Sequence, residues 1–254
     1  MNKLKTIVAA MLLTTASAAS AIGVYERDTY TTSLEGNVGI TSSYEYRGIT
    51  LNDNPTVFAN IELTGTEGTL KGLYIGAAGI AVEDLDANTE YTTWLGWKGM
   101  EDTGWQYGIG LLGTFTDYED INTNYGEVYG NVGYTWDNEY APNLDLKISY
   151  SDDYYNMFGG TVYYNVSGSF EIPTNYNPVK LYAKAGYTDS QDNGDFVMRD
   201  YGDYKVGISN KIGMMDTDLS VTWIDSNNDF IVAPFGYIDS DNNATVNLTL
   251  SYNF

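Results

Sequence analysis

The sequence ends in Ala244-Thr-Val-Asn-Leu-Thr-Leu-Ser-Tyr-Asn-Phe254, in which apolar and polar residues alternate. From Val246 to Phe254 every second residue is apolar, and the residues between them are Asn, Thr and Ser. A period of two is typical of a β-strand with one apolar and one polar face. Because the alternation runs to a terminal aromatic residue in a chain that begins like an exported protein, it predicts an outer-membrane β-barrel.

The first residues follow the order of a secretory signal peptide. Lys3 and Lys5 precede an apolar run at residues 7–13, and small residues follow as far as Ala21. The run is too short to cross ~30 Å of hydrocarbon, which takes about 20 residues. We therefore expect cleavage after Ala21, with residues 1–21 as signal peptide and residues 22–254 as one barrel domain.

The composition bounds the classes of partner. The chain has a formal net charge of -22, and loss of Lys3 and Lys5 with the signal peptide brings it near -24. A chain of this charge repels nucleic acid and attracts cations. The sequence contains no cysteine, which excludes disulfides, thiolate metal sites and cysteine nucleophiles.

Twelve segments alternate with a period of two and are separated by clusters of Gly, Asn, Asp or Pro, which predicts an all-β, single, up-and-down transmembrane barrel of about 12 strands. The segments are 34–46, 57–63, 73–77, 91–97, 105–115, 128–136, 144–150, 158–170, 179–187, 204–212, 219–223 and 246–254. The longest connections follow odd-numbered segments, as expected of outer loops opposite short periplasmic turns. The structural alternative is a soluble β-sandwich, because its strands alternate in the same way.

The alternation assigns each side chain to lipid or lumen. In the first segment Tyr44 and Tyr46 share the lipid-facing parity, and in the eighth segment that parity begins at Phe158. Charged residues fall on the other parity, where they avoid the ~2–4 kcal/mol cost of a cation that faces lipid. We predict that these residues line the pore: Glu35, Glu45, Arg47, Glu62, Glu90, Lys98, Glu127, Lys147, Lys184 and Lys205. The sequence leaves open whether they border a water-filled pore or close it with a salt-bridge network.

Acidic residues concentrate in the predicted outer loops. They either enrich cations at the mouth of a pore or keep the loops solvated. One loop, at 189–200, partly matches the spacing of a calcium-binding loop, with Asp189, Asn193 and Asp200 as candidate ligands, although Gln191 and Asp200 depart from the preferred ligand types.

Catalysis is not expected from the residue types present. The sequence has no histidine, so a Ser-His or Asp-His mechanism lacks its base. No pair of carboxylates stands out for glycoside chemistry. We therefore predict that the chain is not an enzyme and has no cofactor.

The stretch from Gly36 to Thr50 resembles the opening signature of the TorF family of porin-like outer-membrane proteins. The match is carried by Ser42, Tyr44, Tyr46, Arg47, Gly48, Ile49 and Thr50. Weaker similarity lies at 72–76, at Glu90-Tyr91 and in the aromatic terminus. The resemblance implies an outer-membrane barrel that acts as a pore, but it implies no substrate and no catalytic residues.

Arg47 is the preferred functional residue, with Glu45 or Glu62 as an expected ion-pair partner, or with a passing anion as its contact. The sequence as a whole predicts a passive, cation-preferring channel for small hydrophilic solutes in the outer membrane of a Gram-negative bacterium. The alternative is a non-conducting structural barrel, or one that binds a partner through its acidic loops. Expected partners are outer-membrane lipids, the assembly machinery through Phe254, and the solutes or cations themselves, but no nucleic acid.

Overall fold

The computed structural model of the chain describes residues 31–81, 89–100, 103–116, 122–191, 198–225, 230–233, 236–239 and 244–254. The predicted signal peptide lies outside these residues. No helix in the described part of the chain is long and apolar enough to cross a bilayer.

Sixteen strands occur in the described residues, with two short 3₁₀ turns at Gly68–Leu70 and Tyr154–Asn156. The strands are β1 (Thr32–Thr41), β2 (Tyr44–Tyr46), β3 (Ile49–Asn52), β4 (Thr56–Gly65), β5 (Leu73–Ala81), β6 (Thr89–Met100), β7 (Trp105–Thr116), β8 (Tyr125–Thr135), β9 (Asn143–Ser151), β10 (Thr161–Ile172), β11 (Val179–Ser190), β12 (Tyr201–Ile212), β13 (Met215–Asp225), β14 (Phe230–Ala233), β15 (Gly236–Asp239) and β16 (Thr245–Asn253).

Twelve of these strands form one closed antiparallel barrel, which confirms the predicted fold class. Strand β1 pairs with β4, strands β4 to β13 pair in chain order, and β16 pairs with both β13 and β1. The pairs β2–β3 and β14–β15 are separate two-stranded sheets that do not join the barrel.

The two faces of the barrel differ as the alternation predicts. Apolar side chains on the outer face are strongly exposed, as at Ile109 (60%) and Val246 (62%), and lipid would cover them in a membrane. Polar side chains point inward, and Thr114 and Asn247 are buried. A soluble sandwich would bury its apolar face instead, so the barrel replaces that alternative.

The first and last barrel strands meet where the barrel closes. The amide of Gly36 donates to the carbonyl of Phe254, and the amide of Phe254 donates to the carbonyl of Gly36, each at 3.0 Å. A Cβ atom at Gly36 would lie 2.7 Å from the carbonyl oxygen of Asn60 and 2.8 Å from Cζ of Phe254. Glycine is therefore required at this seam.

Connections at one end of the barrel are short, and we call it the turn end; it includes 66–72, 173–178 and 213–214. The opposite loop end contains the longer connections. Two of these have described structure within the barrel mouth: the lumen hairpin, Tyr44–Asn52, which comprises β2 and β3, and the inner loop, residues 152–160.

Two predictions about the lipid-facing parity are wrong. The first barrel strand ends at Thr41, and Tyr44 and Tyr46 belong to the lumen hairpin. Arg47 (φ 49°) and Gly48 (φ 81°) both have left-handed backbone conformations, as the two-residue turn of a type I′ hairpin requires. This turn reverses the direction of the chain inside the lumen. Phe158 lies on the inner loop rather than on a strand and is fully buried.

Candidate functional site

The lumen hairpin crosses the inside of the barrel. At its base, Nδ2 of Asn247 on β16 donates to the carbonyl of Ser43 at 2.8 Å, and the hydroxyls of Thr50 and Thr245 are 3.2 Å apart. At its tip, Arg47 reaches Glu127 on β8. Strands β16 and β8 lie six positions apart in the ring of twelve, so the hairpin spans the lumen from one wall to the other.

Arg47 is held by charge and by aromatic rings. Its Nη2 atom donates to Oε1 of Glu127 at 2.5 Å, and the two residues are only 7% and 6% exposed. Its guanidinium carbon lies 4.2 Å from the ring centre of Tyr163 and 5.1 Å from those of Tyr46 and Tyr154. These contacts supply cation–π attraction to a cation that burial would otherwise penalise.

A second hydrogen bond joins the hairpin to the barrel wall. The hydroxyl of Tyr44 donates to Oε1 of Glu90 on β6 at 2.6 Å. Burial, reinforced by the negative charge of Glu90, raises the pKa of the Tyr44 hydroxyl well above its ordinary value, so Tyr44 stays a donor. Two of the predicted pore-lining acids, Glu90 and Glu127, are therefore bound by the hairpin.

The inner loop adds an apolar cluster beside the hairpin. Tyr154, Tyr155 and Phe158 are almost completely buried, and the rings of Tyr154 and Tyr155 lie 4.9 and 4.8 Å from that of Tyr125 on β8. The cluster comprises Ile49, Tyr125, Tyr154, Tyr155, Met157, Phe158, Met198, Tyr201 and Ile224. It fills the barrel interior at the loop end.

The wall behind the hairpin and inner loop is lined by hydroxyl groups. Buried inward-facing residues at this end of the strands are Thr41, Thr114, Ser149, Ser151, Thr161, Thr188, Ser220 and Thr222. The hydroxyls of Ser151 and Thr222 have no hydrogen-bond partner among the described residues. A wall of this kind is suited to water more than to an apolar plug.

The turn-end half of the lumen is more open and contains another charged group. Nζ of Lys98 and Nε1 of Trp94 donate to the carboxylate of Glu62 at 2.6 and 2.7 Å, and the Lys98 side chain is 48% exposed. Glu35 is exposed and lies directly across from Glu62 in the β1–β4 register. A cavity of 640 Å³ borders Glu35, Glu62, Trp94 and neighbouring asparagines.

The predicted partners of Arg47 are therefore corrected. Glu62 pairs with Lys98, and Glu45 accepts a hydrogen bond from the Ser43 hydroxyl at 3.1 Å. The I′ turn brings Arg47 to Glu127 instead, 80 residues further along the chain. Neighbouring strand positions do not reveal such a contact, and the local sequence signal for the hairpin is limited to Gly48, the residue type that the second position of a type I′ turn favours.

The remaining predicted pore-lining residues are lysines near mid-barrel. Lys147 on β9, Lys184 on β11 and Lys205 on β12 are half-buried and share the inward parity. Nζ of Lys184 is 3.6 Å from Oδ1 of Asp203, and Nζ of Lys147 lies 4.3 Å from the ring centre of Tyr129.

The calcium-loop candidates are only partly described, because Asn193 lies outside the described residues. Asp200 accepts hydrogen bonds from the Ser190 amide at 2.9 Å and from the Tyr187 hydroxyl at 3.2 Å. In the part of the chain that the structure describes, no group of three or more acidic residues is placed to hold a metal ion. Most of the predicted acidic loop residues also fall outside the described ranges.

Comparison with known proteins gives a family and a fold. The sequence profile of a family described as "Bacterial protein of unknown function (Gcw_chp)" matches residues 26–254. No curated protein gives a significant sequence match. Among solved structures, a NanC porin is 11% identical with a TM-score of 0.51, covering 87% of this chain and 99% of that chain.

Two more distant barrels are also similar. An outer-membrane channel from Pseudomonas putida F1 is 10% identical with a TM-score of 0.46, covering 90% of this chain and 97% of that chain. LpxR from Salmonella typhimurium is 10% identical with a TM-score of 0.47, and the match covers 87% of this chain and 99% of that chain. At these identities the likeness shows the outer-membrane barrel fold alone.

Two expectations change in the light of these comparisons. The prediction that the chain is not an enzyme is wrong, because the outer-membrane barrel fold admits enzymes as well as channels. The missing histidine excludes only mechanisms that need a histidine base. The resemblance to the TorF family is not confirmed by the family match.

Proposed function

We propose that this chain, which belongs to the Gcw_chp family of bacterial proteins of unknown function, is an outer-membrane channel for small hydrophilic solutes whose lumen is closed by a displaceable hairpin. The observation that carries the proposal is the lumen hairpin, which crosses the lumen and is joined to the barrel wall by polar contacts with Asn247, Glu90 and Glu127. Although Ile49 of the hairpin packs in the apolar cluster, the wall hydroxyls of Ser151 and Thr222 are buried without a partner among the described residues, and they would gain water as a hydrogen-bond partner when the hairpin withdraws.

The topology lets the hairpin move without opening the barrel. Strands β2 and β3 pair only with each other, so no ladder of the barrel breaks when they withdraw. The hairpin is held at its tip by the Arg47–Glu127 ion pair and near its base by the Tyr44–Glu90 hydrogen bond. The barrel-wall partners in these contacts, Glu127 and Glu90, become pore-lining carboxylates when the hairpin leaves.

Cation preference is part of the proposal and rests on charge. The chain carries 34 acidic and 12 basic residues, and a pore through such a protein concentrates cations near its mouths. Glu35 and Glu62 face each other across the β1–β4 pair on the turn-end side of the lumen. Release of Glu90 and Glu127 adds further negative charge to the path.

The resemblance to the TorF family supports the same function, because that resemblance implies a pore. The residues that carry it, at 42–50, form most of the lumen hairpin and the segment leading into it. Location in the outer membrane of a Gram-negative bacterium, reached through the signal peptide at 1–21, belongs to the proposal. Recognition of Phe254 by the outer-membrane assembly machinery is also part of the proposal.

Single-channel conductance in a planar bilayer tests the proposal. We compare the natural chain with Glu127→Gln, with a variant whose residues 44–52 are replaced by a short Gly-Ser linker, and with Lys98→Gln as the matched control. Lys98→Gln also breaks a lumen ion pair, but one at the turn end. We expect Glu127→Gln to raise the open probability, the linker variant to conduct continuously, and Lys98→Gln to leave gating unchanged. A potassium preference under a KCl gradient supports cation selectivity.

A non-conducting structural barrel is the second candidate, favoured by the nearly complete burial of Tyr154 and Phe158 in the apolar cluster. In that case the inner loop keeps the lumen closed by itself. A folded linker variant that shows no conductance steps would contradict the channel and support this candidate.

A further inference from the structure

We propose that the lumen contains a binding site for an oxyanion group of a solute, formed by Lys147, Lys184 and Lys205. This inference deepens the proposed channel function, on which its role in selecting solutes rests. The oxyanion is a carboxylate or a phosphate, because either accepts several charge-assisted hydrogen bonds from ammonium groups.

The register of the barrel brings like charges together. Lys184 and Lys205 are directly opposite each other in the β11–β12 pair. Like charges in this position destabilise a sheet by their repulsion. Lys147 lies on the same wall, on β9, two strands from Lys184 in the barrel order. A bound anion between these side chains would remove the repulsion.

Protein carboxylates neutralise this wall only in part, since Glu127 and Asp145 attract Lys147 without a direct ion pair. Among the described residues, Asp203 is the one carboxylate within 4 Å of any of the three lysines, at 3.6 Å from Lys184. Asp203 also accepts hydrogen bonds from the Tyr163 hydroxyl at 2.9 and 3.2 Å. Asp145, two residues from Lys147, accepts from Nδ2 of Asn131 at 3.2 Å.

The scarcity of direct ion pairs at these lysines is unusual for this chain. Acidic residues outnumber basic ones by 34 to 12, so carboxylates are plentiful, yet three lysines share one close carboxylate. Arg47 is not available to an anion while it is bound to Glu127. The lysines therefore form the basic wall beneath the hairpin.

The opposite wall has acidic residues toward the turn end. In the ring of strands, β4 lies opposite β10, the centre of the basic wall. Glu35 on β1 supplies negative charge on that side, next to Glu62 on β4, which pairs with Lys98. The two walls produce an electric field across the lumen. A solute that carries an oxyanion turns that group toward Lys147, Lys184 and Lys205, and a solute that also carries a cationic group satisfies both walls.

Thermal unfolding of the detergent-folded full chain tests the site without any conductance measurement. The probes are sodium succinate and sodium phosphate, each compared with sodium chloride at equal ionic strength. We expect one or both to raise the unfolding midpoint in a saturable way, because a ligand that binds the folded state stabilises it. The probe that acts at the lower concentration identifies carboxylate or phosphate as the preferred group.

Variants localise the effect. Lys184→Gln and Lys205→Gln should each weaken the apparent affinity about tenfold, the loss of one charge-assisted contact. Lys205→Gln should also unfold at the same or a higher temperature in chloride, because it removes the Lys184–Lys205 repulsion, so its lost anion response is not a folding defect. Lys211→Gln, at the exposed turn-end rim, is the matched control and should keep the response.

Absence of saturable stabilisation by either probe in the natural chain would overturn the site. Equal responses in Lys184→Gln and the natural chain would overturn it too, as would an equal loss in Lys211→Gln. These outcomes are independent of the channel proposal, because binding is measured in detergent whether or not the barrel conducts.

Discussion

Nη2 of Arg47 donates to Oε1 of Glu127 at 2.5 Å and joins the tip of the lumen hairpin to the barrel wall opposite its base. Both residues are almost completely buried. This ion pair fixes the hairpin across the lumen. Because both charges are buried, removal of either residue leaves the other charge without a partner and destabilises the fold.

The first prediction concerns the stability of this pair. Arg47→Ala leaves Glu127 buried and unpaired, and we expect it to lower the free energy of unfolding by about 3–5 kcal/mol. Lys98→Gln breaks an ion pair of similar length, but the Lys98 side chain is 48% exposed, so its effect should stay within ~1 kcal/mol. Urea unfolding in detergent measures both, and equal losses would contradict the difference in burial.

The second prediction concerns how closely the hairpin tip packs against the barrel wall at Gly48. A Cβ atom there would lie 2.5 Å from Cγ2 of Ile224 and 2.6 Å from Cβ of Asp203, and the backbone has φ +81°. We expect Gly48→Ala to displace the tip and raise conductance while the barrel remains folded. Gly213, at φ +64° with no atom within 4 Å of a built Cβ, is the control. Gly213→Ala has backbone strain but no clash, so unchanged conductance is expected.

Gly36 tests the closure of the barrel. Gly36→Ala places Cβ within 3 Å of Asn60 and Phe254, and we expect a large loss of folded, heat-modifiable barrel. At Gly130 the nearest atom to a built Cβ is 3.7 Å away, so Gly130→Ala should fold normally. Gel mobility with and without heating compares the two variants. A normal yield of folded Gly36→Ala would show that the seam tolerates a side chain.

Tyr46, on the lumen hairpin, provides a prediction about pH. Burial raises the pKa of Tyr46 from its ordinary value of 10 to about 12, against the lowering effect of Arg47. The Tyr46 hydroxyl therefore stays protonated up to a higher pH in the folded state than in the unfolded state. Its stabilising contribution is complete below pH 10 and is lost as pH rises through 12. The phenolate difference spectrum between the natural chain and Tyr46→Phe should appear near pH 12, and its appearance near pH 10 would place Tyr46 in water.

The barrel itself follows from the sequence because one face of each strand must meet lipid. Period-two alternation located all twelve barrel strands, and the parity of Ile109 and Val246 agrees with their exposure. The same alternation misplaced Tyr44 and Tyr46, because a hairpin inside the lumen is also made of strands. Periodicity reports strand conformation but not which sheet a strand joins.

The candidate site was less accessible to sequence reasoning. Inward parity identified Glu90, Glu127 and Arg47 as lumen residues, but their contacts depend on how the hairpin folds across the barrel. Phe158 was misplaced for a related reason, since the inner loop continues the apolar parity of β10 without continuing the strand. Long-range contacts such as Arg47–Glu127 arise from topology, which local pattern does not specify.

Thiol labelling of the hydroxyl wall tests the displaceable hairpin most directly. The chain has no cysteine, so Thr222→Cys introduces a unique thiol at a site that is 4% exposed behind the hairpin. We predict slow labelling by a water-soluble thiol reagent in the otherwise natural chain and much faster labelling when Glu127→Gln is added. Glu35→Cys, exposed at the turn end, should label at one rate in both backgrounds. Equal, slow labelling of Thr222→Cys with and without Glu127→Gln would contradict a hairpin that moves to open the lumen.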